Sequence, residues 1–306
     1  MLATALATLL ALTTATCADS DLVDRVRHET VTNGDVKIHY AALGEAGDVV
    51  VLLHGFPDYW YTWRHQMEGL ADRFRVVALD LRGYNRSDQP KGVEAYAMPH
   101  LMADVNAVIE AQGVERAVVI GHDWGAGIAW NFAMWHPHRV SRLGILSVPH
   151  PSGFGRELAG NDEQRENSQY ARDFQKEGAH ESLTAAGLTA WVTDEAARAR
   201  YLEAFERSDF EAMLHYYTAN YPKVGPSPVS PEQTPAAPSF KRISAPTLVI
   251  HGMKDRYLHH RGHAFCWEWI DGETTLVMLP DAGHFVQQDD PKRVTRVIRD
   301  WLLRPL

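Results

Sequence analysis

At 306 residues the chain can bury a sizeable core as one large α/β domain, or as one domain carrying an insertion, and is short for two unrelated full domains. With 45% hydrophobic and 23% charged residues it has the composition of a compact, water-soluble protein and leaves no room for a large disordered fraction. A formal charge of -9, with no run of Lys and Arg, argues against nucleic acid as a partner, because neutralising phosphates needs clustered cations.

Residues 1–18 are an apolar Ala/Leu/Thr stretch ending in small residues, the pattern of a signal peptide, although no basic residue follows Met1. The expectation is export to a secreted or periplasmic location if this segment is cleaved, and a cytoplasmic location otherwise. No other stretch has the length of apolar sequence a membrane span needs. The two cysteines, Cys17 and Cys266, do not suggest a structural disulfide, since the first lies in the segment expected to be removed.

Beyond it, short β-branched runs alternate with amphipathic segments. The runs are Val49–Leu53, Val76–Leu79, Ala117–Ile120, Leu143–Leu146, Thr247–Ile250 and Leu276–Leu279, and Leu101–Ala111 and Gly127–Trp135 have helical spacing. Continuous apolar strands imply a mostly parallel sheet buried on both faces, with helices on both sides. Between about Pro149 and Phe240 the alternation stops and the sequence turns helical and aromatic. It ends in a proline-rich stretch from Pro222 to Pro238 that suits an extended connector. The expected organisation is a core of residues 19–149 and 241–306 with a helical cap of residues 150–240 inserted into it.

The stretch Gly121-His122-Asp123-Trp124-Gly125 follows a buried strand and precedes a helix, in the form Gly-x-Nuc-x-Gly. That turn exposes its central side chain above the sheet. On this motif alone Asp123 serves equally well as a helix N-cap. As a nucleophile, a carboxylate suits an sp³ carbon, giving an ester whose carbonyl water then attacks. The resulting oxyanion needs N–H donors, expected from Trp124 and from Phe56 in the loop His54-Gly55-Phe56-Pro57.

Water attack needs a base near neutrality. Among sixteen histidines, His284 follows the last strand at its carboxyl end, where ligand chemistry sits in open α/β sheets. Asp255, after the preceding strand, can fix its tautomer; Asp281 is a rival by proximity. The order nucleophile, acid, histidine is that of the α/β-hydrolase triad. His259 and His263 have i, i+4 spacing without the Glu of a zinc-protease helix and read as a solvated pair, and nothing calls for a metal or cofactor.

His54-Gly55-Phe56-Pro57, Trp63-Arg64-His65-Gln66, Asp80-Leu81-Arg82-Gly83-Tyr84 and Gly121-His122-Asp123-Trp124-Gly125 together resemble the soluble epoxide hydrolases of the α/β-hydrolase fold, from about residue 28 to the C-terminus. The resemblance implies a small-molecule epoxide substrate and two cap tyrosines that donate hydrogen bonds to the epoxide oxygen. Tyr170, in Tyr170-Ala171-Arg172-Asp173-Phe174-Gln175, matches the first. Tyr217, in Leu214-His215-Tyr216-Tyr217-Thr218, matches the second, in a motif that departs from the family pattern and leaves Tyr216 as the alternative.

A dehalogenase on the same scaffold is the nearest rival. Haloalkane dehalogenases resemble this chain but place Asn where Phe56 stands, and fluoroacetate dehalogenases follow the nucleophile with Arg where Trp124 stands. A ligand-binding protein that keeps the fold without turnover is the remaining alternative. Oligomeric state is not legible.

Overall fold

The computed structural model describes residues 21–223 and 240–305. The expected signal segment, Cys17 and all but Pro222 and Lys223 of the proline-rich stretch lie outside the described residues.

Eight strands form one sheet: β1 (Arg27–Asn33), β2 (Val36–Leu43), β3 (Val49–Leu53), β4 (Arg75–Leu79), β5 (Ala117–His122), β6 (Val140–Leu146), β7 (Thr247–Gly252) and β8 (Thr274–Leu279). Their order is β1-β2-β4-β3-β5-β6-β7-β8; the pairs β1/β2 and β2/β4 are antiparallel and the rest parallel. All six expected strands are present. The β1–β2 hairpin is additional, and its first strand, Arg-His-Glu-Thr-Val-Thr-Asn, is a largely exposed edge with no apolar run to announce it. Strands β3, β5 and β7 are buried along their whole length, as continuous apolar sequence requires, whereas β8 is a half-exposed edge.

The helices are α1 (Leu22–Arg25), α2 (Arg64–Leu70), α3 (Met98–Ala111), α4 (Trp124–Trp135), α5 (Pro151–Gly160), α6 (Asp162–Asn167), α7 (Gln169–Asp173), α8 (Ala185–Leu188), α9 (Glu195–Glu206), α10 (Phe210–Asn220), α11 (Val286–Asp289) and α12 (Pro291–Leu302). Helix α12 shows why such segments cover a sheet. Pro291 opens it, the Asp290 side chain accepts from the Arg293 amide, and Val294, Ile298, Trp301 and Leu302 form one buried stripe. It packs on α2 and β7, while α4 packs on β3, β5 and β6 beside α3. Each fully buried aliphatic side chain on such a stripe is worth about 1.5–3 kcal/mol, which offsets the entropy of ordering it.

Strand order reverses around β3, whose neighbours are β4 and β5. A crevice at the carboxyl ends of β3 and β5 follows from that reversal, because their outgoing loops diverge. Leu53 is paired with Gly121, so the loop after β3 and the turn after β5 leave the sheet side by side. Gly252 is paired with Leu279 in the same way, which sets the loops after β7 and β8 together. Among the described residues the six helices α5 to α10 fall between β6 and β7, and α5, α7, α8 and α10 supply residues above this edge.

Candidate active site

Asp123 stands between β5 and α4 with φ +51° and ψ −121°, a conformation that costs energy for any residue with a Cβ. The turn is possible because its flanks are glycine: a Cβ on Gly121 would collide with the Gly125 carbonyl, and one on Gly125 with the Leu53 carbonyl. Asp123 occupies the N-cap position without capping the helix through its side chain. Its Oδ1 instead accepts from the Phe56 amide at 2.7 Å, and its Oδ2 lies 3.3 Å from Nε2 of His284. Trp124 is the first residue of α4, so its amide is among the helix N-terminal N–H groups with no intrahelical acceptor.

Asp255 and His284 come from the paired loops after β7 and β8. Asp255 Oδ1 accepts from the amides of Tyr257 (2.8 Å) and Leu258 (3.0 Å), and Oδ2 is 2.8 Å from His284 Nδ1. One imidazole thus bridges two carboxylates, with Nδ1 toward Asp255 and Nε2 toward Asp123. Burial alone would lower the His284 pKa; the carboxylates, Asp255 foremost, outweigh it and push it up to about 10. The same attraction holds both Asp123 and Asp255 below the ordinary carboxylate range against the effect of burial. Asp281, the rival acid, is exposed and paired with Lys254 at 2.9 Å.

Two further side chains at this edge have no role in the sequence analysis. The His284 carbonyl accepts from Ser147 Oγ at 2.6 Å and from His122 Nε2 at 2.9 Å. Both are fully buried, and Ser147 has φ +70° at the end of β6. They brace the backbone of His284 from the carboxyl ends of β5, which also carries Asp123, and β6. Their position at carboxyl ends of strands was the available signal. His122 is neutral, its pKa lowered by burial to about 3, so Nε2 can carry the donated proton. His54 is neutral too, lowered to about 4 by burial; Nδ1 donates to the Gly55 carbonyl and Nε2 accepts from the Leu81 amide, tying the Phe56 loop to the loop after β4. In that second loop Arg82 forms a buried bidentate pair with Asp104 of α3.

Two cavities meet over Asp123, and Tyr170 and Tyr217 line both. The tyrosine rings come from α7 and α10 and stand 6.0 Å apart, edge to face. Burial raises both phenols well above their ordinary pKa, so they stay protonated donors. Tyr216, the alternative, is buried in the opposite direction, where its hydroxyl donates to the Arg82 carbonyl at 2.8 Å. The expectation of a solvated His259/His263 pair needs correction. His263 is buried 2.9 Å from His251 Nδ1, and both residues flank or lie in a 3-10 turn, so they do not share an α-helical face. Among the described residues no group of three or more His, Cys, Asp or Glu could hold a metal ion, and no helix is long and apolar enough to cross a membrane.

The α/β-hydrolase-fold family model matches residues 48–291. Epoxide hydrolase 2 of Caenorhabditis elegans is 34% identical over 90% of this chain and 79% of its own length. Epoxide hydrolase A of Mycobacterium tuberculosis is 32% identical over 89% and 95%. Among solved structures, the epoxide hydrolase of Bacillus megaterium in complex with an inhibitor superposes with a TM-score of 0.81 at 29% identity, covering 90% of this chain and 100% of that one. An epoxide hydrolase from Vigna radiata gives 0.75 at 25% identity, covering 91% and 98%. Fold and relatives agree: the chain is a hydrolase and belongs to the epoxide hydrolases of the α/β-hydrolase-fold family.

Proposed function

We propose that the protein converts epoxides to vicinal diols through a covalent ester on Asp123, with His284 and Asp255 driving hydrolysis and Tyr170 and Tyr217 assisting ring opening. One observation carries the reading: a carboxylate at the elbow, bridged by an imidazole to a second carboxylate, shares its cavity with two protonated phenols. A serine-type acyl transfer has no hydroxyl there, and an epoxide needs a carboxylate below and donors above.

Asp123 Oδ2 attacks one ring carbon while Oδ1 stays on the Phe56 amide; the C–O bond breaks and the developing alkoxide is stabilised by the phenols. Esterification removes the Asp123 charge that helped hold a proton on His284, so the imidazolium gives up that proton and the alkoxide becomes a hydroxyl. The neutral imidazole then takes a proton from water as the hydroxide adds to the ester carbonyl. The Phe56 and Trp124 amides receive the oxyanion. Collapse expels the diol oxygen, which takes the proton of the added hydroxyl, and restores a carboxylate beside an imidazolium, so protons and charge balance over the cycle. In this reading the helices between β6 and β7 act as a cap, at about residues 150–240, on a core of residues 19–149 and 241–306.

A single turnover in oxygen-18 water with enzyme in excess tests the ester. Unlabelled diol with label in the peptide holding Asp123 is expected; label in the first-turnover diol would mean direct water attack and remove Asp123 as nucleophile. Halide release without diol formation would favour the dehalogenase instead.

A further inference from the structure

The cavity over Asp123 is divided at the waist by the reacting groups themselves. Asp123, Tyr170 and Tyr217 line both parts. One lobe, about 250 Å³, extends past Phe56, Phe174, Leu188, Trp191 and Phe285 and offers aromatic and aliphatic surface. The other, about 170 Å³, runs between Trp130, Phe154 and Leu258 and contains two carboxamides, Asn131 and Asn220. Among the described residues no Lys or Arg lines either lobe, and residues 1–20 and 224–239 contain none.

The two carboxamides are oriented by what their nitrogens already hold. Asn220 Nδ2 donates to the carbonyls of Tyr96 (2.8 Å) and Tyr216 (3.2 Å), which uses both its hydrogens. Asn131 Nδ2 donates to the Gly127 carbonyl at 2.9 Å. Asn220 is therefore left with Oδ1 alone, an amide oxygen that only accepts, whereas Asn131 keeps Oδ1 and one N–H. Tyr221 lines the same lobe, and burial pushes its phenol up to about 12, so it stays protonated. With the acceptor-only oxygen of Asn220, no cation among the described residues and a largely apolar lining, this lobe discriminates against carboxylates and favours a neutral donor.

From this we infer that the preferred substrates are epoxides substituted on both ring carbons, with an apolar group in the Phe56 lobe and, in the Trp130 lobe, a short substituent bearing a hydrogen-bond donor such as a hydroxyl, received by Asn220 and Asn131. The inference rests on the epoxide reading and specifies which epoxides that site takes. An epoxide with one bare carbon leaves one lobe filled with water. A charged carboxylate in place of the hydroxyl meets amide oxygens rather than a counter-ion.

The test uses four probes on the purified full chain: styrene oxide, β-methylstyrene oxide, the epoxide of cinnamyl alcohol, and the methyl ether of that last compound. The ether keeps the oxygen and replaces the donated hydrogen with a methyl group, so the variants, which remove the acceptor, separate the donor from the added bulk. The expected result is the highest kcat/KM for the alcohol, by roughly three- to tenfold over its ether as one hydrogen bond allows, with styrene oxide lowest. In Asn220→Leu and Asn131→Leu the alcohol-to-ether ratio should fall toward one, whatever happens to the absolute rates. A wild-type ratio near one overturns the proposal without recourse to any variant, and so does a ratio that survives both substitutions. Diol formation from styrene oxide faster than from every disubstituted probe overturns the two-lobe half of it. If none of the four yields a diol, the epoxide reading itself fails, an outcome distinct from turnover without selectivity.

Discussion

The loops at the sheet edge hold their functional groups with short directional bonds: Phe56 amide to Asp123 at 2.7 Å, His284 to Asp255 at 2.8 Å, Ser147 to the His284 carbonyl at 2.6 Å. The helices above hold Tyr170 and Tyr217 by edge-to-face packing against each other and against Phe56, Phe174 and Trp124, with ring separations of 5.0–6.0 Å. Hydrogen bonds to charged groups fix position and protonation state together, whereas ring packing fixes position and leaves the hydroxyl free. The lower region is therefore built for a single chemical operation. On the proposed reading the upper one can vary in shape while still presenting two donors, and it is there that substrates would be selected.

The largest expected effect falls on the lower region. His284→Gln keeps a side chain that can reach Asp255 but removes the base, so alkylation of Asp123 should proceed and hydrolysis should stop. Steady-state turnover should drop by roughly 10²–10⁴-fold, the usual contribution of a general base, and intact-protein mass spectrometry should show the alkyl adduct. Normal turnover in that variant would break the assignment.

In the upper region Tyr170→Phe and Tyr217→Phe each remove one of two donors and preserve ring packing. Each should slow ring opening by roughly ten- to a hundredfold, and the double substitution should be nearly inactive, since no phenol then faces the alkoxide. Stopped-flow alkylation rates would separate this from any effect on hydrolysis. Equal slowing of both half-reactions would mean that the tyrosines only shape the cavity.

The same division explains what was legible beforehand. Asp123, Asp255 and His284 could be placed because each follows a continuous apolar strand, and the strand ends converge at one edge. The register of the parallel strands then brings them together without further information. The tyrosines depended on a family resemblance, since a helix face carrying Tyr216 and Tyr217 side by side does not say which ring points inward; packing against Arg82 or against Phe56 decides it. The β1–β2 hairpin went unseen because β1 is exposed on an antiparallel edge and lacks apolar alternation, although Asn33-Gly34 was a turn signal. Ser147 and His122 were missed because their contact is with a backbone carbonyl, which no motif encodes.

Ser147→Ala sharpens the comparison, because Ser147 acts through His284 and does not touch the ester. Loss of the 2.6 Å bond should let the His284 backbone relax and slow hydrolysis by roughly three- to tenfold, as expected for one hydrogen bond, with the alkylation rate unchanged. Accumulated adduct in the steady state is the readout. Equal loss in both steps would indicate general destabilisation.

Stability should depend on pH with opposite signs on the two sides of neutrality. Burial lowers His54 and His251 to about 4, His122 to about 3, and His263 well below its ordinary value. As pH falls below 6.5 the unfolded chain takes up protons that these folded histidines refuse. Their contribution is complete above pH 6.5 and is lost on the way down to about 4, each with a limiting slope of about 1.4 kcal/mol per pH unit. His28, His65 and His150, each lowered to about 4 by burial, add to this, while Asp58, which burial raises to about 7, and Asp289, also raised by burial, oppose it. His284 runs the other way: its contribution is complete below pH 6.5 and is lost as pH rises toward about 10. Urea titrations at pH 5, 7 and 9 would show the maximum at the middle value; stability still rising at the highest pH would mean that His284 is not held protonated.

The smallest expected effect comes from the residue beside Tyr217. Tyr216 is as buried as its neighbour and sits on the same helix, but its hydroxyl is spent on the Arg82 carbonyl at 2.8 Å. Tyr216→Phe keeps the ring packing against Tyr84 and Tyr96 and leaves that carbonyl without its donor. A loss of about 1–2 kcal/mol in unfolding free energy is expected, because an orphaned buried acceptor costs most of its desolvation. The alkylation rate should hardly change, since the lost hydroxyl points away from Asp123. Tyr217→Phe should show the reverse pattern, with a large rate effect and little change in stability. If Tyr216→Phe proved the slower enzyme, the face that α10 turns toward the cavity would be misassigned, and the division between a hydrogen-bonded floor and a ring-packed roof would have to be redrawn at that helix.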